Sequence, residues 1–282
     1  MIDLHVHSTF SDGSETPMAL AVAAASSGLT AMALTDHDTM RGVNPFLEAC
    51  SAHGLRGIAG VEVSAEYSHG TMHILGYLVQ PGNVELENAL ESMRAGRGDR
   101  NQVILEKLNA LGLVMTWDEV AAKAGEDVVG RPHFAMVMLD KGYVKTKEEA
   151  FDRYLAKGKV AYVDRIRLTP ENSIALIRAA GGVAVLAHPF TLDYSNAELR
   201  RLLAHMVEVG LGGLEVYYSE YTAEQHHHYV ALAREYGLVM TGGSDYHGSL
   251  NPDIALGRGF GNLKVPDELI APLYARAGRQ LA

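Results

Sequence analysis

The 282-residue sequence contains a single cysteine, Cys50, and no apolar run that approaches the roughly 20 residues needed to span a bilayer. One cysteine excludes a disulfide within the chain and is typical of proteins from a reducing compartment. The first residues lack a basic segment followed by an apolar one, so no signal peptide is expected. We therefore predict a cytoplasmic protein that does not enter a membrane.

Positive charge is also scarce, because 24 lysines and arginines face 34 aspartates and glutamates, which gives a formal net charge of −10. Proteins that hold long nucleic acids normally present a basic face, so this balance argues against binding to a long duplex. A small anion in a locally positive pocket remains possible, and metal ions could supply such a pocket. Nothing in the sequence indicates an obligate protein partner.

Short apolar runs alternate with amphipathic stretches along most of the chain. The predicted strands are Asp3–His7, Ala31–Thr35, Gly57–Val63, His73–Leu78, Val183–Ala187, Gly213–Tyr217 and Leu238–Thr241. The predicted helices between them are Pro17–Ser27, Val43–His53, Pro170–Ala180, Asn196–Val209 and Thr222–Tyr236. This order predicts a parallel sheet or a closed α/β barrel.

The interval from Glu85 to Val163 departs from this alternation and is predicted to be mostly helical. Its predicted helices are Glu85–Leu111, Trp117–Lys123, Pro132–Lys141 and Lys147–Lys157. We interpret it as an insertion between two strands of the barrel. The predicted division is therefore a barrel formed by residues 1–84 and 164–282, with a helical, substrate-binding domain at 85–163.

Thirteen histidines are present, and many of them stand with carboxylates at the ends of the predicted strands. Functional residues of α/β barrels gather at the carboxyl ends of the strands. The strand-end set is His5, His7 and Asp12, then Asp36, His37 and Asp38, then Glu62, His188, Asp245 and His247. His73 is the exception, because it stands at the start of its apolar run.

Imidazole nitrogens and carboxylate oxygens without cysteine suit Zn²⁺, Mn²⁺ or Fe²⁺. His5 and His7 are two residues apart on a strand and so point to the same side. The pooled set exceeds what one ion can bind, which favours two or three ions that share a bridging carboxylate. A lone histidine is more often exposed or hydrogen-bonded, and we interpret His53, His69, His205 and His226–His228 in that way. For the strand-end set, an exposed or hydrogen-bonded histidine would have to be assumed at six successive places, so we favour a metal site there.

The segments "DLHVHSTFSDG", "LTDHD", "GVEVS", "HILGY", "AHP" and "GSDYH" together resemble the successive motifs of the PHP (polymerase and histidinol phosphatase) superfamily. The motifs cover Met1 to about Tyr77 and about Thr169 to Gly248. The resemblance implies a distorted (β/α)7 barrel with a cluster of two or three Mn, Zn or Fe ions at the strand ends.

The same resemblance implies which residues hold each ion. The first ion is expected between His5, His7, Glu62 and Asp245, and the second between Glu62, His73 and His188. The third is expected between Asp12, His37 and His247. Some family members have histidine where this chain has Asp12, so the third site departs from part of the family.

The predicted insertion contains "VGRPHFAMVMLDKGYV" followed by "YLAKGKVAYV", which resembles PHP phosphatases that act on nucleoside 3′,5′-bisphosphates. That group includes enzymes that trim short RNA from the 5′ end. The resemblance implies that Arg131 and His133 bind a substrate phosphate, and Lys159 matches a further lysine of the group. From the residues alone, an arginine fork beside a helix start suits a phosphate, although a surface turn would explain Arg-Pro-His equally well.

The predicted function is a metal-dependent phosphoesterase in which a metal-bridged hydroxide attacks the phosphorus of a nucleotide phosphomonoester. The predicted substrate is a nucleoside 3′,5′-bisphosphate or the 5′ end of a short RNA. His188 and Asp38 are candidates to protonate the leaving oxygen. The alternatives are a histidinol-phosphate or sugar-phosphate phosphatase, a polymerase-associated proofreading exonuclease, and an inactive metal-binding regulatory module. The helical insertion disfavours a histidinol-phosphate or sugar-phosphate phosphatase. The absence of a basic groove disfavours a proofreading exonuclease, and the intact ligand positions disfavour an inactive module.

Overall fold

The structure is a computed structural model that describes residues 1–67, 71–124, 129–164 and 167–281. The contacts between residues divide the chain into two compact units. The first unit contains Met1–Leu90 and Arg167–Ala282, and the second contains Glu91–Ile166.

The first unit is built on one sheet of seven strands, in which each strand pairs with the next one along the chain. The strands are β1 (Ile2–Asp3), β2 (Ala31–Leu34), β3 (Arg56–Ala65), β4 (Met72–Tyr77), β5 (Val183–Leu186), β6 (Gly213–Tyr218) and β7 (Val239–Gly243). The amide of Leu4 donates a hydrogen bond to the carbonyl of Gly242 at 3.1 Å, which joins the chain after β1 to β7. The sheet therefore forms a nearly closed barrel, as the PHP resemblance implies.

β4 runs antiparallel to both of its neighbours, whereas the other neighbouring strands pair in parallel. The alternation of strands and helices favours parallel pairing, and β4 is the exception for a simple reason. Only residues 66–71 connect β3 to β4, and a parallel crossover needs a dozen or so residues. The two strands therefore form a hairpin, with Glu62 opposite Leu75 and Ser64 opposite His73.

Among its described residues, the first unit wholly contains six α-helices: α1 (Pro17–Ser26), α2 (Val43–Ala52), α7 (Pro170–Ala179), α8 (Asn196–Glu208), α9 (Ala223–Glu235) and α10 (Ile270–Arg276). The five helices predicted for this part of the chain are confirmed to within one residue at each end, and α10 was not predicted. The threonine hydroxyls of Thr16 and Thr169 accept the amides of Ala19 and Asn172, so each caps the helix that follows it.

The strands are mostly apolar because both of their faces are buried. On β2, Ala31 and Ala33 belong to a cluster that draws on six strands and α10, while Met32 and Leu34 belong to a second cluster with α1 and α2. Alternate residues of a strand point to opposite faces, so a strand covered on both sides has no solvent-facing position. Polar side chains are therefore concentrated at the ends of the strands.

The second unit is helical. Its helices are α3 (Val84–Ala110, which begins in the first unit), α4 (Trp117–Ala124), α5 (Arg131–Asp140) and α6 (Lys147–Ala150), and a π-helical turn follows at Phe151–Leu155. Its own apolar core includes Ile104, Leu108, Phe134, Met138 and Leu155. Within the parts of the chain that the structure describes, no helix combines the length and apolarity that a bilayer crossing requires.

Candidate metal centre

The first unit brings a group of histidines and carboxylates together at one edge of the barrel. His5 and His7 follow β1, His37 follows β2, Glu62 lies on β3, His188 follows β5, and Asp245 and His247 follow β7. His73 stands near the beginning of β4, and because that strand is antiparallel, its beginning lies at the same edge. The reversed strand thus explains the one histidine that did not fit the strand-end pattern.

Glu62 stands at the middle of the cluster, and its side chain is only 1% exposed. Its Oε1 lies 2.7 Å from His73 Nδ1 and 3.1 Å from His188 Nε2. Its Oε2 lies 3.0 Å from His37 Nδ1, 3.2 Å from His7 Nε2 and 3.3 Å from His5 Nε2. One buried carboxylate therefore faces five imidazole rings, which is the arrangement expected of a bridging ligand.

The cluster contains three groups of side chains, and within each group the ligand atoms all lie within 4.8 Å of one another. They are His5, His7, Glu62 and Asp245, then His7, Asp12, His37 and His247, and then His37, Glu62 and His73. His188 Nε2 adjoins the last group, at 3.3 Å from His73 Nδ1. All nine residues that the sequence suggested as ligands are therefore in one cluster.

Seven buried nitrogen and oxygen atoms of this cluster make no hydrogen bond within the described structure: His5 Nε2, His7 Nδ1 and Nε2, Asp12 Oδ1, His37 Nδ1, Glu62 Oε2 and Asp245 Oδ1. Leaving such atoms unpaired in a buried site is unfavourable by about 1–3 kcal/mol each. Imidazole nitrogens and carboxylate oxygens are suitable ligands for divalent cations. The donor set therefore fits divalent metal ions.

The charges within the cluster favour the ionised carboxylates. Burial raises the pKa of Glu62, but the nearby His37, His73 and His5 outweigh this effect and hold that pKa well below its usual value. Burial also raises the pKa of Asp245, and the imidazoles of His5 and His7 more than reverse it. Burial lowers the pKa of His37 to about 4. These carboxylates and His37 are thus in the states that bind cations.

Two residues of β6 touch the cluster, and neither was predicted from the sequence to have a role. Glu215 is fully buried, with Oε1 at 3.0 Å from His5 Nδ1 and Oε2 accepting the amide of His188 at 2.8 Å. The hydroxyl of Tyr218 donates to Asp245 Oδ2 at 2.7 Å. The available signal was a glutamate inside the apolar run "GLEVYY", because a fully buried carboxylate requires partners.

The aspartates around His37 have defined partners. Asp36 is buried and accepts hydrogen bonds from the amide and hydroxyl of Ser8 and the hydroxyl of Ser11, which fixes the loop after His7. Asp38 is also buried, has a positive φ of 52°, and accepts the amide of Ser64 at 2.8 Å. Asp38 belongs to none of the three groups described above.

The residues suggested for phosphate binding lie in the second unit. Arg131 Nη1 donates to the carbonyl of Leu155 at 3.0 Å, and the guanidinium carbon lies 5.3 Å from the centre of the Tyr162 ring. The Nδ1 atom of His133 accepts the amide of Gly130 at 2.9 Å. Lys159 is exposed, in the turn that follows the π-helical segment.

The remaining described histidines belong to none of the three ligand groups. His205 is exposed and pairs with Glu171 at 2.9 Å. Nδ1 of His226 lies 2.8 Å from the carbonyl of Val216. His69 lies outside the described residues.

The PHP domain family model matches residues 3–167. The chain is 34% identical to the 3′,5′-nucleoside bisphosphate phosphatase of Chromobacterium violaceum over 247 residues, which is 87% of each chain. It is 34% identical to the 5′-3′ exoribonuclease Rnm of Escherichia coli over 258 residues, 91% of this chain and 88% of that one.

A third relative carries a different activity in its name. It is the phosphoribosyl 1,2-cyclic phosphate 1,2-diphosphodiesterase of Eggerthella lenta, 34% identical over 251 residues, 87% of this chain and 94% of that one. Among solved structures, a predicted metal-dependent phosphoesterase from Bifidobacterium adolescentis is 31% identical, with a TM-score of 0.77 and coverage of 98% and 96% of the two chains. The chain belongs to the PHP family and is a metal-dependent phosphoesterase.

Proposed function

We propose that this protein hydrolyses a phosphomonoester of a nucleoside 3′,5′-bisphosphate, and that a short RNA with a 5′ phosphate can take the place of that substrate. The observation that carries the chemistry is the cluster of seven buried nitrogen and oxygen atoms, Glu62 Oε2 among them, that make no hydrogen bond. The substrate class is supported by similarity to a bisphosphate phosphatase along 87% of both chains. The single cysteine supports a cytoplasmic location.

Two or three ions of Mn, Zn or Fe are the proposed cofactors. His5, His7, Glu62 and Asp245 would hold the first, and Glu62, His73 and His188 the second. Asp12, His37 and His247 would hold the third. When bound, such ions neutralise phosphate oxygens and lower the pKa of water so that it can attack phosphorus.

The chain's own contribution is to orient these side chains toward the centre. Glu62 Oε1 and Oε2 face different imidazoles, so one carboxylate can serve neighbouring ions. The hydroxyl of Thr191 donates to the carbonyl of Thr71, so Nδ1 of His188 acts as the donor to that hydroxyl at 3.1 Å. The lone pair of His188 Nε2 is then directed toward Glu62 and the centre.

Arg131 and His133 are proposed to bind the phosphate that does not react, with Lys159 as a further cation. Nδ1 of His133 accepts a backbone amide, so the neutral ring carries its proton on Nε2, a donor suited to a phosphate oxygen. The contacts of Arg131 with Leu155 and Tyr162 limit the movement of its guanidinium. A fixed fork of donors recognises phosphate at a smaller entropic cost than a mobile side chain.

The leaving oxygen requires a proton or a cation, and Asp38 is the proposed donor. His188, the other candidate, donates from Nδ1 to Thr191 and directs its Nε2 lone pair to the centre, so it serves as a ligand and has no proton for this role. Asp38 is held by the amide of Ser64, so its carboxyl has a defined position beside the strand that carries Glu62. Its contribution is separable from metal binding, because Asp38 belongs to none of the ligand groups.

A substrate panel tests the proposal. Hydrolysis with Mn²⁺ would be compared for 3′-phosphoadenosine 5′-phosphate, AMP, histidinol phosphate, a short 5′-phosphorylated RNA and a five-membered cyclic phosphodiester. Inorganic phosphate is measured for the first three, and chromatography of the products is used for the RNA and the cyclic diester, because cleavage of a phosphodiester bond releases no inorganic phosphate. We expect the highest kcat/KM with the bisphosphate or the RNA. A preference for histidinol phosphate or the cyclic diester would reject the proposed substrate, and absence of turnover from metal-loaded protein would favour a regulatory module.

Arg131→Ala tests the phosphate contact. A charge-assisted hydrogen bond contributes about 1.5–3 kcal/mol, so kcat/KM for the bisphosphate should fall about 10- to 100-fold relative to AMP. Arg153→Ala is the matched control, because Arg153 is an exposed arginine of the same unit that pairs with Glu149. An unchanged ratio of bisphosphate to AMP turnover in Arg131→Ala would remove Arg131 from the proposed phosphate site.

A further inference from the structure

β6 supplies none of the nine proposed ligands, yet its side chains contact three of them. Glu215 contacts His5 and His188, and Tyr218 contacts Asp245. The three contacted residues follow three other strands, β1, β5 and β7. We propose that β6 is the positioning strand of the metal centre, with Glu215 and Tyr218 as positioning residues, and this inference rests on the proposed metal centre.

The contact of Glu215 with His5 selects which ring nitrogen faces the centre. Glu215 Oε1 is 3.0 Å from His5 Nδ1, and a carboxylate can only accept there, so Nδ1 carries a proton. The other nitrogen, Nε2, lies 3.3 Å from Glu62 and 3.4 Å from Asp245, and it makes no hydrogen bond. Glu215 therefore directs the Nε2 lone pair of His5 to the centre, as a carboxylate behind a metal-bound histidine commonly does.

The second oxygen of Glu215 holds the backbone of another proposed ligand. His188 has φ 20° and ψ 64°, and it precedes Pro189. A residue before proline strongly prefers an extended conformation, so this backbone is strained. Oε2 of Glu215 accepts the amide of His188 at 2.8 Å. One buried carboxylate thus fixes the side chain of His5 and the main chain of His188.

A β-bulge explains how Glu215 and Tyr218 reach the same side of the strand. In a regular strand, residues three apart point to opposite faces. The pairing of β6 with β7 shifts between Glu215 and Tyr217, so that Glu215 is opposite Thr241 whereas Tyr217 is opposite Gly242. One extra residue reverses the alternation and turns Tyr218 toward the cluster.

Tyr218 fixes the orientation of Asp245. Its hydroxyl donates to Asp245 Oδ2 at 2.7 Å, which leaves Oδ1 without a hydrogen bond and 3.0 Å from His7 Nε2. The ring of Tyr218 also packs 5.5 Å from that of His188, centre to centre. Two residues of one strand therefore orient ligands that belong to two of the proposed ion sites.

Glu215→Gln and Tyr218→Phe test the proposal with metal affinity as the measurement. Glutamine keeps the volume of glutamate but has one acceptor oxygen, so either His5 or the amide of His188 must face an amide NH2 group. We expect Zn²⁺ affinity, determined by competition with a chelator, to fall about 10- to 100-fold, as found when groups behind metal ligands are removed. Tyr218→Phe affects one ligand and should weaken Zn²⁺ binding by a smaller factor.

Tyr236→Phe is the matched control, because its hydroxyl donates to the carbonyl of Arg200 and so joins α8 to the end of α9. Neither residue belongs to a ligand group. It should lower the melting temperature of the metal-free protein slightly and leave Zn²⁺ affinity unchanged. The d–d absorption bands of Co²⁺-substituted protein provide a second measurement, since they report ligand geometry. They should change in the β6 variants and stay the same in Tyr236→Phe.

The proposal is overturned if both β6 variants retain Zn²⁺ affinity within about twofold of the wild type, or if their Co²⁺ spectra are unchanged. Tyr218→Phe decides the question by itself if Glu215→Gln does not fold. Wild-type protein that binds Zn²⁺ but hydrolyses none of the substrates would reject the proposed function and leave the β6 measurements valid. Normal turnover in the wild type with normal affinity in the variants would reject only the role of β6.

Discussion

Glu62 is the residue that connects the proposed ion sites, because its two oxygens face five imidazole rings. Glu62→Gln keeps the side-chain volume and removes the charge that these rings share. We expect metal content to fall at least about 10-fold and phosphate release to fall to the background of chelated protein. Elemental analysis beside a phosphate assay measures both quantities.

The control for this change is Glu66→Gln, which alters an exposed glutamate just past the end of the same strand. It should leave metal content and turnover as in the wild type. Wild-type metal content in Glu62→Gln would show that Glu62 does not bridge the ions.

Asp38 offers a prediction about the proton for the leaving group. If its carboxyl protonates the leaving oxygen, Asp38→Asn should slow hydrolysis of alkyl phosphates such as nucleotides by about 10²- to 10⁴-fold. A nitrophenyl phosphate has a leaving group that needs no proton, so its hydrolysis should change little. Comparison of kcat for the two substrate types is the measurement, and equal losses with both would assign Asp38 a structural role.

Residue by residue, the sequence predicted the components of the centre better than their surroundings. The nine proposed ligands stand in recognisable motifs, because histidines and carboxylates at strand ends form a pattern that can be read in the chain. Glu215 and Tyr218 do not stand in such motifs, because their contacts depend on a bulge that changes which face of β6 each following side chain points to. A bulge is decided by pairing with β7, and this pairing is not encoded in the residues of β6 alone.

Among the elements, β4 shows what a periodic pattern cannot provide. The apolar run predicted the strand at His73–Leu78, close to the observed Met72–Tyr77, but a run of side chains reads the same in either direction. The direction follows from the length of the connection, residues 66–71, which suits a hairpin. That length was available in the sequence and would have placed His73 at the correct edge.

The close approach of β7 to the chain after β1 predicts that a larger side chain at the contact lowers stability. A Cβ atom added at Gly243 would lie 2.3 Å from the backbone nitrogen of His5 and 2.4 Å from its Cβ. Gly243→Ala must therefore push β7 away from His5 and should lower the free energy of unfolding by about 1–3 kcal/mol. Denaturant titration measures this change, and Zn²⁺ affinity should fall with it.

Gly98→Ala is the matched substitution in an open location. Gly98 lies inside α3, and an added Cβ atom there meets nothing within 4 Å. Alanine should raise the free energy of unfolding by up to about 1 kcal/mol, because glycine is unfavourable inside a helix. Stabilisation by Gly243→Ala would contradict the close approach of β7 to His5.

At the scale of the whole molecule, the proposed metal ligands and the proposed phosphate-binding residues lie in different units of the chain. All nine proposed ligands lie in the unit formed by Met1–Leu90 and Arg167–Ala282, whereas Arg131, His133 and Lys159 lie in Glu91–Ile166. The sequence predicts a division after residue 84 and before residue 164, and the contacts divide the chain at Leu90 and Arg167. The first boundary falls inside α3, where continuous helical periodicity gives no sign of a change of unit.

Metal binding by the whole molecule should release protons. Burial lowers the pKa of His7, but Asp245 and Glu62 outweigh it and raise this pKa to about 10. Below that pH the metal-free ring is protonated, and it must lose a proton before it can bind a metal ion. The pKa of Glu62 and that of Asp245 lie well below their usual values, so these carboxylates release none.

Apparent Zn²⁺ affinity should therefore rise by about tenfold per pH unit for each proton released, from about pH 6 to pH 8. Calorimetry in two buffers with different ionisation enthalpies counts the protons directly. A binding enthalpy that is the same in both buffers would show that His7 is already neutral before the metal binds.

The hairpin of β3 and β4 also has a consequence for the order in which the chain folds. Contacts between residues close in sequence form early, because their loop-closure entropy is small. Glu62 and His73 meet through this hairpin, whereas His5 and Asp245 are brought together by a closure over most of the chain. Of the five histidines that face Glu62, His73 is the nearest in sequence. Glu62 and His73 therefore come together before Glu62 meets the other four, and a divalent ion present during refolding would encounter this pair before the barrel closes.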